Sequence, residues 1–496
     1  MKKIFIIIIF TIAYVSVANA ETKNLKELGI KGYEMVYDMK FEEAEKIFDE
    51  MIRLEPENAL GYLLKALSYG HLWKIHGFYP KLGNEYKDRL VKARNIANKM
   101  LDKNKDDLDA LFYAGCTYGN LGLYYLSNDP MNAYTNGLKG RELMTKVIEN
   151  DPSYYDAYIG LGLYHYYSEV LSKSSKAAST ILGNTEGYKK RGNNELILAL
   201  SKGKYVNDEV KNIIANDIYI QTEADHEAAL PLLKELTTKY PHNLFLKNNL
   251  ANCYRKLGNH DLAVQTLELS IVSLSRKKYP YLYWIQCTGL GQIYFELNEF
   301  DKSISAYKNA LNIPIYESDT LYSIGNSYEM MGSINKAYEY YKKIKEKEGD
   351  IKYNMAKARL SNPLTPSQIK LTKGSNYLKS RKYTKADSMF TELLESEFTK
   401  NSLDKTFLID LYFNIGITKY SLKKYEKSIQ IFNKILASKD YEKEWVKTWS
   451  HYHLGNCYRD TGKIEKAIQE YNIAYKFAND ELRHMIDKAR SKIQSM

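Results

Sequence analysis

Two consecutive stretches of this chain repeat each other at a fixed distance. Between Trp284 and Ile344, Gly291 falls 34 residues before Gly325, and the same residue types recur around each glycine. Leu290 and Ile324 precede it, Tyr294 and Tyr328 follow three later, and then come Phe300 and Ile334, Tyr307 and Tyr341, Ala310 and Ile344. Apolar residues at these offsets share one face on each of two short helices, and a unit this small cannot bury that face alone. Neighbouring units bury it for each other, so the pattern predicts an all-α, helix-turn-helix solenoid. That also accounts for a chain of 496 residues, which is longer than one compact core sustains.

The same offsets extend outward from this pair. Leu28, Gly32, Phe41, Ala44, Phe48 and Met51 form a first unit, closed by Pro56. Across residues 24–236 the spacing becomes irregular, and a helical region with insertions is expected there. Gly115, Gly140, Met144 and Val147 keep the pattern, the segment Ser172 to Asn184 displaces a second helix, and Asn193 to Lys204 and Asp208 to Ile220 read as amphipathic helices. Regular units occupy 237–346, with Leu250, Ala251, Tyr254, Gly258, Ala263 and Leu267 in register. Gly349-Asp350 and Asn362-Pro363 carry turn signals, so 347–365 is expected to be a linker. Thr365-Pro366-Ser367-Gln368 has the form of a capping box and opens the C-terminal units, 366–480. In the last segment, 481–496, Leu482, Met485, Ile486, Ala489 and Ile493 share one face, as a helix capping the final unit requires.

With these residues in place the chain resembles the tetratricopeptide repeat superfamily, most specifically over 237–345 and 366–475 and more loosely at 25–57. The tryptophan often found early in that motif is mostly absent, Trp284 being offset from it. The resemblance implies a scaffold that binds a peptide segment or partner protein in a concave groove and has no chemistry of its own. The superfamily's carboxylate clamp for chaperone C-termini is incomplete, because Asn248, Gly289, Asp319 and Ser323 stand where it needs Lys, Asn, Lys and Arg.

Residues 1–20 predict an export signal. Lys2 and Lys3 precede the apolar run Ile4 to Val17, and Ala18-Asn19-Ala20 offers a small-x-small cleavage site. Cleavage after Ala20 would leave a periplasmic or envelope-associated chain with no later stretch apolar enough to span a bilayer. It would carry 69 basic against 60 acidic residues, a mild excess that, with export, argues against a nucleic-acid partner. Cys116, Cys253, Cys287 and Cys457 occupy core-facing helix positions, and only Cys253 and Cys287, on the first helices of adjacent units, could approach each other.

No phosphate-binding loop, zinc-helix signature, nucleophile elbow or Cys/His cluster is present, so neither enzyme activity nor a cofactor or metal is expected. The groove offers better candidates. In this architecture the residue after the core glycine lines the concave face, which places Asn252, Gln292, Asn326 and Asn456 there, with Arg255, Lys256 and Arg459 a turn further. Asn-Cys-Tyr-Arg occurs verbatim at 252–255 and 456–459. Amides can hydrogen-bond an extended peptide and the basic residues can select acidic groups, although the same amides could merely bond neighbouring helices. The tyrosine cluster at 154–167 gives an alternative: Tyr166 and Tyr167 as an aromatic surface for a carbohydrate or small ligand.

Overall fold

The computed structural model describes residues 20–174, 176–205, 207–311, 313, 316–347, 349–400, 405–438 and 444–494. The expected export signal therefore lies, apart from Ala20, outside the described residues. In chain order the helices are α1 (Ala20–Tyr37), α2 (Phe41–Leu54), α3 (Ala59–Ile75), α4 (Pro80–Lys103), α5 (Leu108–Tyr125), α6 (Pro130–Asn150), α7 (Tyr158–Ser174), α8 (Lys176–Leu182), α9 (Tyr188–Lys202) and α10 (Asn207–Asn212). A π-helix, Ile213–Thr222, continues α10. Then follow α11 (His226–Lys239), α12 (Leu244–Lys256), α13 (His260–Val272), α14 (Pro280–Glu296), α15 (Phe300–Ala310), α16 (Glu317–Met330), α17 (Ile334–Tyr341) and α18 (Ile351–Ser361). The last are α19 (Pro366–Lys379), α20 (Tyr383–Lys400), α21 (Lys405–Ser421), α22 (Tyr425–Ala437), α23 (Glu444–Asp460), α24 (Ile464–Phe477) and α25 (Asp480–Gln494). No strand occurs among the described residues. The chain is an all-α assembly of helix pairs.

Three positions, counted from the first-helix glycine, build six of the pairs. Sixteen residues on, an aromatic ring of the second helix lies flat on the glycine: Phe48 on Gly32, Tyr307 on Gly291, Tyr341 on Gly325, Phe390 on Gly374, Phe432 on Gly416 and Tyr471 on Gly455. A methyl group at any of these glycines would come closer than 3.0 Å to its ring. Twelve residues on, the residue is alanine or serine, which lets the helices approach. Ser303 and Ser428, both fully buried, each donate a hydrogen bond of 2.8 Å to the carbonyl oxygen of their own glycine, Gly291 and Gly416. Seven residues on, the backbone turns left-handed, with φ of 61° at Met39, 64° at Asn298, 77° at Gly332, 57° at Arg381, 59° at Lys423 and 75° at Gly462. A non-glycine residue there costs roughly 1–2 kcal/mol, which the packed pair on either side must offset.

The helices group into two compact units, one of Met1–Gln221, Ala228–Asn249 and Arg276–Leu282, the other of Thr222–Glu227, Leu250–Ser275 and Tyr283–Met496. Within the N-terminal unit, α1 to α7 pack as successive pairs, and α7 then pairs with α9, leaving α8 as the insertion between them. This matches the displacement expected for Ser172 to Asn184. The α7–α9 contact is close enough to bring Gly162 against Gly192 backbone to backbone.

Within the C-terminal unit the expected linker is instead partly helical. The Asp350 carboxylate accepts from the amides of Lys352 and Tyr353 and starts α18, which buries Ala356 against α16 and α17. The fully buried Glu329 accepts from the Leu364 amide, and Arg359 lies 3.8 Å from it, so the C-terminal end of the segment is tied to α16. The capping box forms as read: Thr365 Oγ1 accepts from the Gln368 amide at 3.2 Å and Gln368 Oε1 accepts from the Thr365 amide at 2.9 Å. On α25, Leu482, Ile486 and Ala489 are buried against α23 and α24, with Met485 and Ile493 partly so.

Candidate functional site

The residues after the core glycines sit on the first helices as expected, yet most of their hydrogen bonds turn inward. Asn456 Oδ1 accepts from the Tyr471 hydroxyl at 2.7 Å and from Arg459 at 3.2 Å, and Asn456 is buried. Gln292 accepts from the Tyr307 hydroxyl at 3.4 Å and donates to Glu296 at 3.1 Å. Asn252 accepts from Arg255 at 2.9 Å. These amides supply the partner that a tyrosine hydroxyl or a guanidinium needs once buried. Asn326 is half-buried on α16. The chain also bonds α19 to the end of α14. Asn376 of α19 donates to the Phe295 carbonyl at 2.9 Å and to Asn298 Oδ1 at 2.8 Å, and Asn298 donates to the Lys373 carbonyl at 3.1 Å. Three of the four amides, Asn252, Gln292 and Asn456, thus have bonding partners within their own unit.

At the centre of the first cluster is a residue the sequence reading missed. Glu296 is 4 % exposed; its carboxylate meets Arg255 at 2.6 Å, His260 at 3.1 Å and Gln292 at 3.1 Å. Burial by itself would raise its pKa, but the His260 hydrogen bond and the Arg255 charge hold it down at about 2. Arg255 is thus committed to an internal ion pair. Arg459 is likewise engaged, with Asp460 at 2.7 Å.

Two of the expected basic residues, Lys256 and Arg459, do line one cavity. It has a volume of about 290 Å³, and Tyr452, His484, Lys488 and the segment Glu223 to Glu227 line it as well. The acids on this wall are already paired. Lys488 lies 2.9 Å from Asp225 and 3.0 Å from Glu227, while His484 lies 3.3 Å from Asp225 and 3.6 Å from Glu223. Lys256 has no carboxylate within ion-pair distance among the described residues. Desolvation within its crowded surroundings, and then the charge of Arg255, lower its pKa even though the side chain remains solvent-accessible. An ammonium in that state gains from any anion that reaches it.

In the N-terminal unit the aromatic pair lies elsewhere than expected. Tyr166 is fully buried, its backbone wedged against Gly192, so its ring offers no external platform. Tyr167 is 8 % exposed and lines a cavity between α5, α6, α7 and α8. The four cysteines are buried thiols; Cys253 donates to the His226 carbonyl at 3.0 Å and Cys457 to Ser428 at 3.3 Å. Among the described residues no three His, Cys, Asp or Glu are grouped to hold a metal ion, and no helix is long and apolar enough to cross a membrane.

Family profiles described as "Tetratricopeptide repeat" match residues 222–270, 287–314, 319–350, 409–440 and 450–480. The chain carries tetratricopeptide repeats over these residues. The matched segments of this repeat protein contain the pairings Tyr307 on Gly291, Tyr341 on Gly325, Phe432 on Gly416 and Tyr471 on Gly455. It is 24% identical over 168 residues to "Regulatory protein RapD" of Bacillus subtilis (strain 168), a match covering 34% of this chain and 45% of the relative. It is 25% identical over 134 residues to mouse "Tetratricopeptide repeat protein 21B", covering 27% of this chain and 10% of the relative. The chain thus spans less than half the length of either curated relative. Among solved structures it is similar to a tetratricopeptide repeat protein from Parabacteroides merdae ATCC 43184, with 16% identity, a TM-score of 0.25 and coverage of 57% of this chain and 96% of that one. It is also similar to a human IFIT1 dimer with PPP-AAAA, with 14% identity, a TM-score of 0.35 and coverage of 85% and 95%.

Proposed function

We propose that this chain is a non-catalytic protein-interaction scaffold of the periplasm or cell envelope, and that its C-terminal unit takes a partner segment whose acidic group pairs with Lys256. The observation carrying this reading is the unequal charge pairing of the cavity wall. Asp225, Glu223 and Glu227 are matched by Lys488 and His484, whereas Lys256 faces the same space without a carboxylate. A charge-assisted bond formed there on binding contributes about 1.5–3 kcal/mol, or roughly 10–100-fold in affinity.

The test uses the mature chain and a fluorescein-labelled hexaglutamate peptide as a stand-in for the acidic segment. Lys256→Glu is expected to weaken binding at least tenfold by fluorescence anisotropy, and Lys302→Glu, on an exposed second-helix face, is expected to leave it unchanged. Equal losses from both would reduce the effect to net charge and overturn the site. Export is supported by Lys2, Lys3, the run Ile4 to Val17 and the Ala18-Asn19-Ala20 site. Protein recovered from a periplasmic fraction is expected to begin at Glu21, and an intact Met1 by mass spectrometry would refute cleavage.

A further inference from the structure

We propose that the N-terminal unit holds a medium-chain carboxylate in the cavity lined by α5, α6, α7 and α8. The cavity measures about 360 Å³, within the range of roughly 300–1,000 Å³ typical of small-molecule sites. Its walls are almost entirely apolar, supplied by residues such as Leu126, Ala133, Leu163 and Leu171 and by glycines that leave space where side chains would stand. A sugar is poorly suited to it, because a carbohydrate's hydroxyls would be desolvated with few partners. An unbranched acyl chain asks for nothing but apolar surface, and each methylene it buries deepens binding.

The charge of the ligand follows from the lining. No acidic residue contributes, and Arg141 is the one charged side chain among the described residues that does. Its guanidinium lies 5.2 Å from the centroid of the Tyr164 ring and has no carboxylate within ion-pair distance among the described residues. A planar fork held over an aromatic face suits the two oxygens of a carboxylate. The fourth wall points the same way. Ala177, Ala178, Ile181 and Leu182 line the cavity from α8, yet none of this helix is buried and Ile181 remains 40 % exposed. α8 already packs on α7, and a chain inside the cavity would cover the remaining face that Ala177, Ile181 and Leu182 present.

Isothermal calorimetry on the mature chain, below the micellar concentration, tests this with dodecanoate and with dodecyltrimethylammonium, which has the same chain and the opposite charge. Wild type is expected to bind dodecanoate at least tenfold more tightly than the ammonium, and Arg141→Gln to abolish that ratio. Gly137 lines the cavity, and a Cβ built on it meets nothing within 4 Å. Gly137→Leu is therefore expected to fill the space, keep the wild-type Tm and lower dodecanoate affinity at least tenfold. Equal affinities for the two amphiphiles, or undiminished binding by a folded Gly137→Leu, would overturn the proposal. Should that variant fail to fold, photolabelling of wild type with a diazirine-bearing dodecanoate decides: label within residues 115–182 supports the cavity, and label elsewhere or none refutes it.

Discussion

Replacing Gly192 by alanine is expected to destabilise the N-terminal unit by about 3 kcal/mol, with α7 and α9 the first elements to open. The added methyl would sit 2.6 Å from the Tyr166 amide nitrogen and would also overlap the Gly162 carbonyl oxygen. Both are backbone atoms of a packed helix, so no rotamer change relieves the clash and the helices must separate. Helix propensity acts the other way, since alanine inside a helix is favoured over glycine by about 1 kcal/mol, but that gain is smaller than the overpacking penalty. Urea unfolding gives the magnitude, and amide hydrogen exchange localises it to α7 and α9. A Gly192→Ala protein with the wild-type urea midpoint would mean that the close helix contact is not under steric constraint.

The second large effect is expected at Glu296. Changing it to glutamine leaves Arg255 and His260 facing a neutral group in a largely buried site, and breaking a buried pair in this way costs about 3 kcal/mol or more. The sign of the pH dependence follows from the low folded-state pKa. The carboxyl titrates at about 2 when folded and at roughly 4.3 when unfolded, so its contribution is complete above about pH 4.5 and fades as pH falls toward 2. Wild type and Glu296→Gln are therefore expected to differ most at pH 7 and to converge only as the pH falls to about 2 and below. A difference that stays constant across that range would mean that the packing of the side chain matters and its charge does not.

The arrangement of helix pairs was legible because its cause is steric and short-range. A ring at Tyr307 or Tyr341 needs a glycine sixteen residues earlier, and a small residue at Ser303 or Ala337 lets the two helices close on it. The fate of the amides was harder to read, since a side chain on an inner helix face gives no sign of whether its partner is a ligand or a neighbour. One signal was nevertheless present. Gln292, Asn326 and Asn456 follow glycines whose ring partner is tyrosine, whereas Ser375 and Ile417 follow Gly374 and Gly416, whose partners are Phe390 and Phe432. Where the ring has no hydroxyl to satisfy, no amide is placed beside it. Tyr341 departs from this by donating to Glu329 at 2.8 Å. Buried acids such as Glu296 and Glu329 escaped notice because a lone glutamate on a helix ordinarily faces solvent. The α18 helix was hidden by Gly349 and Pro363, which mark its two ends correctly but were read as a single break.

The tie from Asn376 to Phe295 and Asn298 joins positions 81 and 78 residues apart. A stack in which each repeat touches only its neighbours behaves as a spring, lengthening a little at every joint when its ends are pulled. Here a cross-link of mostly buried amide bonds bridges the turns between α14 and α19. Tension on the C-terminal unit would have to break those bonds before this stretch could extend, and α25 is tied as well, through His484 and Lys488, to Asp225 and Glu227, 259 to 263 residues earlier in the chain. A partner drawn taut would therefore load two cross-links, one at α19 and one at α25, before the helix pairs between them could part.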